Sequence, residues 1–155
     1  MGKSILFVCL ANICRSPAAE EVLRDKIRAH PHLANIHIDS CGIGDWQTGS
    51  LPHERMREVA KKRGLILTSR ARQIALKDFE EFDYILAADQ EVLHSLYRLA
   101  KTPEQKAKIH LITAFSVAYR DQDIPDPFYK GDEAFEYILD MMDDALEGFI
   151  QHLKN

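Results

Sequence analysis

Apolar positions along this chain fall into two alternating kinds of segment. Ile5-Leu6-Phe7-Val8 is a short continuous run of strand formers, the pattern of a central parallel strand buried on both faces. Ser16-Pro17 then signals a helix start with proline at the first helical position. Ala19, Val22, Leu23 and Ile27 follow at helical spacing, which predicts a helix to about residue 29. Ile36-His37-Ile38-Asp39-Ser40 alternates as a second strand, and Gly42, Gly44 and Gly49 mark a loop through Trp46. Pro52 opens a second helix that ends at Gly64, the usual residue just past a helix C-terminus. A short helix near 75–81 leads into the strand Tyr84-Ile85-Leu86-Ala87-Ala88. A helix over about 90–100 then leads into a fourth strand, Ile109-His110-Leu111-Ile112. Residues 113–130 show little periodicity, and Pro125 and Pro127 break any regular element there. The last helix is the clearest: Phe135, Ile138, Leu139, Met142, Leu146, Phe149, Ile150 and Leu153 form one apolar face.

Strands alternating with helices require right-handed crossovers. The predicted fold is therefore α/β: a single domain over residues 1–155, with a four-stranded parallel sheet and helices on both faces. Ligands of such sheets bind beyond the carboxyl ends of the strands, which puts the loops after residues 8, 40, 88 and 112 on one rim. The long connection 113–130 joins that rim, and long ordered loops are usually functional.

Composition narrows the classes. The chain has 155 residues, of which 28% are charged and 46% apolar, and a net charge of −4. That charge argues against a nucleic-acid partner, and none is expected, since phosphate backbones reward a basic face. The basic stretch 55–72 and the acidic stretch 131–147 read as two solvated helix faces. No apolar run is long enough to span a membrane, and the start is too short for a signal peptide, so the expected location is cytoplasmic. Three cysteines form no disulfide framework and suit a reducing compartment. The seven histidines are scattered, and no ligand spacing is present, so no metal or other cofactor is expected.

Chemistry enters at the end of the first strand. Cys9-Leu10-Ala11-Asn12-Ile13-Cys14-Arg15-Ser16 lies between a strand and a helix N-terminus, where unpaired N–H groups and the helix dipole favour an anion. The same setting and a nearby Arg stabilise a thiolate. Arg15 offers a fork for two phosphoryl oxygens, and five intervening residues let the backbone wrap a tetrahedral group. Asn12 tolerates left-handed geometry. A phosphate-binding loop with a nucleophilic cysteine follows. Asp126, stiffened by Pro125 and Pro127, is the candidate acid for the leaving group.

Val8-Cys9-Leu10-Ala11-Asn12-Ile13-Cys14-Arg15-Ser16-Pro17, together with Asp126-Pro127, Ser40-Cys41-Gly42, Trp46, Ala71-Arg72-Gln73 and Ala88-Asp89, resembles the low-molecular-weight protein tyrosine phosphatases over nearly the whole chain. The resemblance implies metal-free hydrolysis of phosphotyrosine and aryl phosphates through a cysteinyl-phosphate. Cys9 would be the nucleophile, Arg15 the phosphate clamp, and Asp126 first acid and then base. It also implies that Leu10, Ala11, Asn12, Ile13, Cys14, Trp46, Phe128 and Tyr129 contact substrate, and that Asn12, Ser16, Ser40 and Asp89 support the loop. Cys14 would form a reversible disulfide with Cys9 under oxidants. The implied partners are tyrosine-phosphorylated proteins, with phosphate and other oxyanions as products or inhibitors and no membrane or nucleic acid. Three residues depart from the family pattern. Ala11 stands where Gly is usual and must avoid positive φ or tolerate strain. Phe128 replaces a Tyr common in animal members, and Ser69 falls near a position often held by His. Together they suggest a microbial member. Two alternatives stay open: an arsenate reductase, which would need further relay cysteines, and a phosphotyrosine-binding module without turnover.

Overall fold

The computed structural model describes residues 3–128 and 130–155. Its elements run β1 (Ser4–Cys9), α1 (Arg15–Ile27), β2 (His37–Gly42), α2 (Glu54–Lys62), α3 (Asp78–Glu81), β3 (Tyr84–Ala87), α4 (Gln90–Leu99), α5 (Pro103–Lys106), β4 (Ile109–Leu111) and α6 (Asp132–Lys154). Two 3-10 turns, Pro31–Leu33 and Ile112–Phe115, complete them. The sheet is parallel throughout, in the order β2-β1-β3-β4. After β1 the chain crosses to one side to form β2, then returns to the other to form β3. The C-terminal ends of β1 and β3 thus flank the point where the winding changes direction, the place where such sheets open a crevice.

Alternation along β1 builds the two layers. Ile5 and Phe7 face the cluster formed with α1, α2 and α6, whereas Leu6 and Val8 face Phe79, Val92 and Leu96 on the other side. Each fully buried side chain of this size stabilises the fold by roughly 1.5–3 kcal/mol. All the helix-face residues predicted for α6 are buried except Leu153, which is only partly covered.

Several boundaries differ from the sequence reading for local reasons. The α1 helix begins at Arg15, so Pro17 occupies its third position, still within the first turn where no N–H needs a helical partner. Strand β2 continues to Gly42, because Gly42 is bridged to Gln73 as well as paired with Cys9. His53 caps α2, which leaves Pro52 outside the helix, and Gly64 at φ +80° closes it in the left-handed region.

The basic and acidic stretches are not two independent solvated faces. Arg63 of α2 reaches Glu136 (2.7 Å) and Asp140 (3.0 Å) of α6, and Arg55 pairs with Asp132 at 3.3 Å. Both helices are amphipathic and pack side by side on the same sheet face, so their polar edges meet. Arg72 turns the other way, to Asp39 and the buried Asp78.

The α6 helix also carries the start of the 113–130 segment. A Cβ on Gly148 would stand 1.9 Å from the Phe115 carbonyl oxygen, so the helix needs a bare backbone there. Nearby, the Asp144 carboxylate accepts from Ser116 Oγ and from the N–H groups of Val117 (3.1 Å) and Ala118 (3.0 Å). The Ser116 hydrogen bond, opposed by slight desolvation and helped by the two amides, holds Asp144 below its ordinary value. Two outcomes are expected. Gly148→Ala should lower the unfolding free energy by about 1–3 kcal/mol in denaturant titration, overriding the helix propensity of alanine. Because the folded-state value of Asp144 is depressed, its stabilisation is present above its unfolded value near 4 and fades as pH falls below it. Asp144→Asn should therefore reduce stability at neutral pH and shrink the difference between wild type and variant in acid.

Candidate active site

The 9–15 loop is shaped from outside. The carbonyls of Cys9 and Leu10 accept from Ile43 and Gly44 N–H at 3.0 Å each, and the Ile13 carbonyl accepts from His53 N–H at 2.7 Å. The Cys14 carbonyl is taken by Ala18, one turn into α1. Every peptide among the described residues is trans, so a carbonyl turned outward sends the next N–H the opposite way, toward the loop's interior. A row of inward N–H groups ahead of a helix N-terminus makes an anion cradle.

Asn12 holds the turn. It is buried at φ +61°, and its Oδ1 accepts from the Arg72 N–H at 3.0 Å. Its Nδ2 donates to Ser16 Oγ (2.7 Å) and Ser40 Oγ (3.0 Å). Ser40 Oγ in turn donates to Glu20 Oε1 at 2.6 Å. The left-handed residue is thus Asn12 and not Ala11, so alanine sits at position 11 without backbone strain. Ser69 has no part in this network, which closes through the Arg72 backbone and Glu20. Beneath the loop, Gly42 leaves no room for a side chain: a Cβ there would lie 2.9–3.0 Å from the backbone of residues 10–12.

Cys9 Sγ receives the Asn12 N–H at 3.3 Å and lies 3.0 Å from Ser16 Oγ. Arg15 is 4% exposed and is fixed by one nitrogen: Nη1 donates to Asp89 Oδ2 at 2.6 Å and to the Ile124 carbonyl at 3.0 Å. Burial works against its charge, but Cys9 and then Asp89 and Asp126 hold the guanidinium above its ordinary value. Asp89 uses its other oxygen to cap α4 through Val92 N–H at 2.8 Å, which fixes the carboxylate independently of Arg15. With both Nη1 hydrogens engaged, the fork left for an anion is Nε and Nη2. Asp126 Oδ2 stands 4.0 Å from Nη2, and Asp126 Oδ1 accepts from Phe128 N–H at 3.0 Å, a local turn that aims the carboxyl. Ile124 N–H, bonded to the Ala88 carbonyl at 2.9 Å, brings the acid-bearing segment onto the rim.

These groups converge on an open cavity of about 210 Å³ lined by Cys9, Leu10, Ala11, Ile13, Cys14, Arg15, Trp46, Gln47, Asp126 and Phe128. Ser16, Ser40 and Asp89 do not line the cavity and reach it only through Asn12, Cys9 and Arg15. Asn12 does not line it either, so its side chain supports the loop. Tyr129 lies outside the described residues. Gln47 and Glu20 are additions to the sequence reading, which named Gly42 and Arg72 within the resemblance motifs but gave them no role. Glu20 is a buried carboxylate among Ala18, Ala19, Val22 and Leu23 on the apolar side of α1.

The three thiols are buried and free. Burial, followed by Cys9 and Asp126 and opposed by Arg15, pushes the Cys14 thiol up to about 12. Cys41, on the opposite sheet face, is raised by burial above all. At neutral pH both are un-ionised and poor nucleophiles. Brief iodoacetate treatment of the native protein should place one carboxymethyl group, on Cys9, and phosphate should slow it. Equal labelling of Cys14, read by peptide mass mapping, would contradict this arrangement.

The family model for low molecular weight phosphotyrosine protein phosphatase matches residues 4–155. A Schizosaccharomyces pombe protein named low molecular weight phosphotyrosine protein phosphatase is 36% identical, covering 96% of this chain and 96% of its own. A crystal structure of protein tyrosine phosphatase from Entamoeba histolytica, with Hepes in the active site, superposes with TM-score 0.94 at 36% identity, covering 99% of this chain and 97% of that one. A structure described as Drosophila arginine phosphatase superposes with TM-score 0.90 at 33% identity, covering 97% and 98%. With a match that spans the cradle, the sheet and the acid-bearing segment alike, the chain belongs to the low molecular weight phosphotyrosine protein phosphatase family.

Proposed function

We propose that this chain, as one phosphatase domain over residues 1–155, hydrolyses phosphotyrosine in proteins and related aryl phosphates through a cysteinyl-phosphate. The observation that carries this reading is the convergence on one cavity of the Cys9 sulfur, the Arg15 fork and the Asp126 carboxyl. The phosphoryl group sits in the cradle with its oxygens on the inward N–H groups and on Nε and Nη2 of Arg15. Cys9 sulfur attacks phosphorus as the bond to the phenolic oxygen breaks, and Asp126 gives that oxygen its proton. Asp126, now a carboxylate, takes a proton from water as the water attacks phosphorus and the S–P bond breaks. Phosphate leaves, and the charge returning to sulfur meets the Asn12 N–H and Ser16 hydroxyl already placed there.

Leu10, Trp46 and Phe128 stand partly exposed around the mouth and supply apolar walls for the substrate ring. Tyr129 joins them in this reading. The reading needs no metal or cofactor. It takes tyrosine-phosphorylated proteins as partners and phosphate or other oxyanions as inhibitors, with nucleic acid and membranes excluded. Among the described residues no helix is long and apolar enough to cross a membrane, and three free thiols suit the reducing cytoplasm, where we place the protein. Cys9 and Cys14 line the same cavity, which supports a protective disulfide between them under oxidants. Arsenate reduction lacks its relay, because the remaining thiol, Cys41, is fully buried on the far face of the sheet.

Steady-state assays on phosphotyrosine peptides provide the test. Cys9→Ser should abolish turnover, and Asp126→Asn should cost roughly 10²–10⁴-fold in kcat. Rapid quenching should trap phosphate on Cys9 in the Asp126→Asn variant. Retention of most turnover by Cys9→Ser would sink the mechanism. A preference for phosphoarginine over phosphotyrosine peptides, assayed in parallel, would overturn the substrate assignment alone.

A further inference from the structure

The N-terminal end of α2 touches both halves of the site. His53 N–H donates to the Ile13 carbonyl of the phosphate loop at 2.7 Å. Its Nδ1 accepts from Arg55 N–H at 3.1 Å and caps the helix. The ring meets Phe128 edge-on, centroids 5.5 Å apart, and stacks on the buried Phe135 of α6 at 5.8 Å. Phe128 N–H is the group that holds the Asp126 carboxyl, so this ring contact is one turn away from the acid. Arg55 fixes the other end of the same segment. Its Nη1 donates to the Lys130 carbonyl at 3.1 Å, and its Nε pairs with Asp132 at 3.3 Å.

Asp126 needs such a brace. Its side chain is 48% exposed and sits in a segment with no regular structure, pinned on its other side by the Ile124–Ala88 hydrogen bond. A proton donor on a loop acts only when held within a fraction of an ångström of its target. We propose that His53, assisted by Arg55, is a positioning residue for Asp126, coupling the segment that carries the proton donor to the loop that carries the nucleophile. The inference rests on the reading of Asp126 as proton donor.

The leaving group separates positioning from mere structure. Nitrophenolate departs with little help, whereas phenolate needs the proton. His53→Asn keeps a capping acceptor and removes the ring. It should lower kcat/KM for phenyl phosphate about tenfold and for 4-nitrophenyl phosphate no more than about twofold. His53→Phe keeps a ring and loses the cap acceptor, so it should lower Tm and leave the ratio of the two substrates near wild type. Adding His53→Asn to Asp126→Asn should not change the ratio further, because the donor is already gone. An unchanged ratio in His53→Asn, or an equal loss on both substrates, overturns the proposal. If Asp126→Asn shifts the ratio in the same assays, the donor reading survives that failure. If Asp126→Asn leaves the ratio unchanged, the donor reading falls and the positioning role falls with it.

Discussion

A side-chain-bearing residue in the left-handed region costs on the order of 1–2 kcal/mol, and Asn12 is held there in the middle of a buried loop. Its amide meets three partners, from α1, from β2 and from the segment before α3, so tertiary structure fixes a turn that asparagine by itself only tolerates. Everything at the site depends on that turn. It reverses the chain between Cys9 and Arg15, sends carbonyls outward and amides inward, and delivers the chain into α1 with Arg15 as its first residue. Glu20 and Arg72 act at a distance by fixing the groups that fix Asn12.

The Arg15–Asp89 pair shows a different use of burial. A buried ion pair is weak evidence of stability, since apolar replacements are often as good, whereas removing one partner costs about 3–5 kcal/mol. Here the pair spends one guanidinium nitrogen on Asp89 and the Ile124 carbonyl and so orients the other edge. Because Asp89 also caps α4, the direction of that edge is set by the register of a whole helix against the sheet.

Much of this was legible in the sequence, for a definable reason. Cys9, Arg15 and Asp126 are named by residue type and spacing, and the strands and helices by apolar period, all of which are local. The supports Asn12, Ser16, Ser40 and Asp89 came only through the family resemblance. The parts played by Glu20, Arg72 and Gly42 were not legible, because their partners lie far along the chain: Arg72 is sixty residues from Asn12, and Gly42 matters only because the loop backbone rests on it. The cross-helix ion pairs were missed likewise, since charge runs on two helices do not reveal that the helices are neighbours. Of the two options open to Ala11, avoiding positive φ or bearing strain, the chain takes the first, and Asn12, whose tolerance of left-handed geometry is legible from residue type, carries the positive φ.

Trp46 stands at the mouth with two-thirds of its surface in solvent, its ring lying where a side chain on Gly44 would be. It is also the chain's only tryptophan. The indole emission of the unmodified protein therefore comes from a single point on the rim of the cavity, with no contribution from the core. The fold has in effect placed its one intrinsic fluorophore where occupancy of the cavity changes the solvent around it, a built-in optical reporter that needs no label.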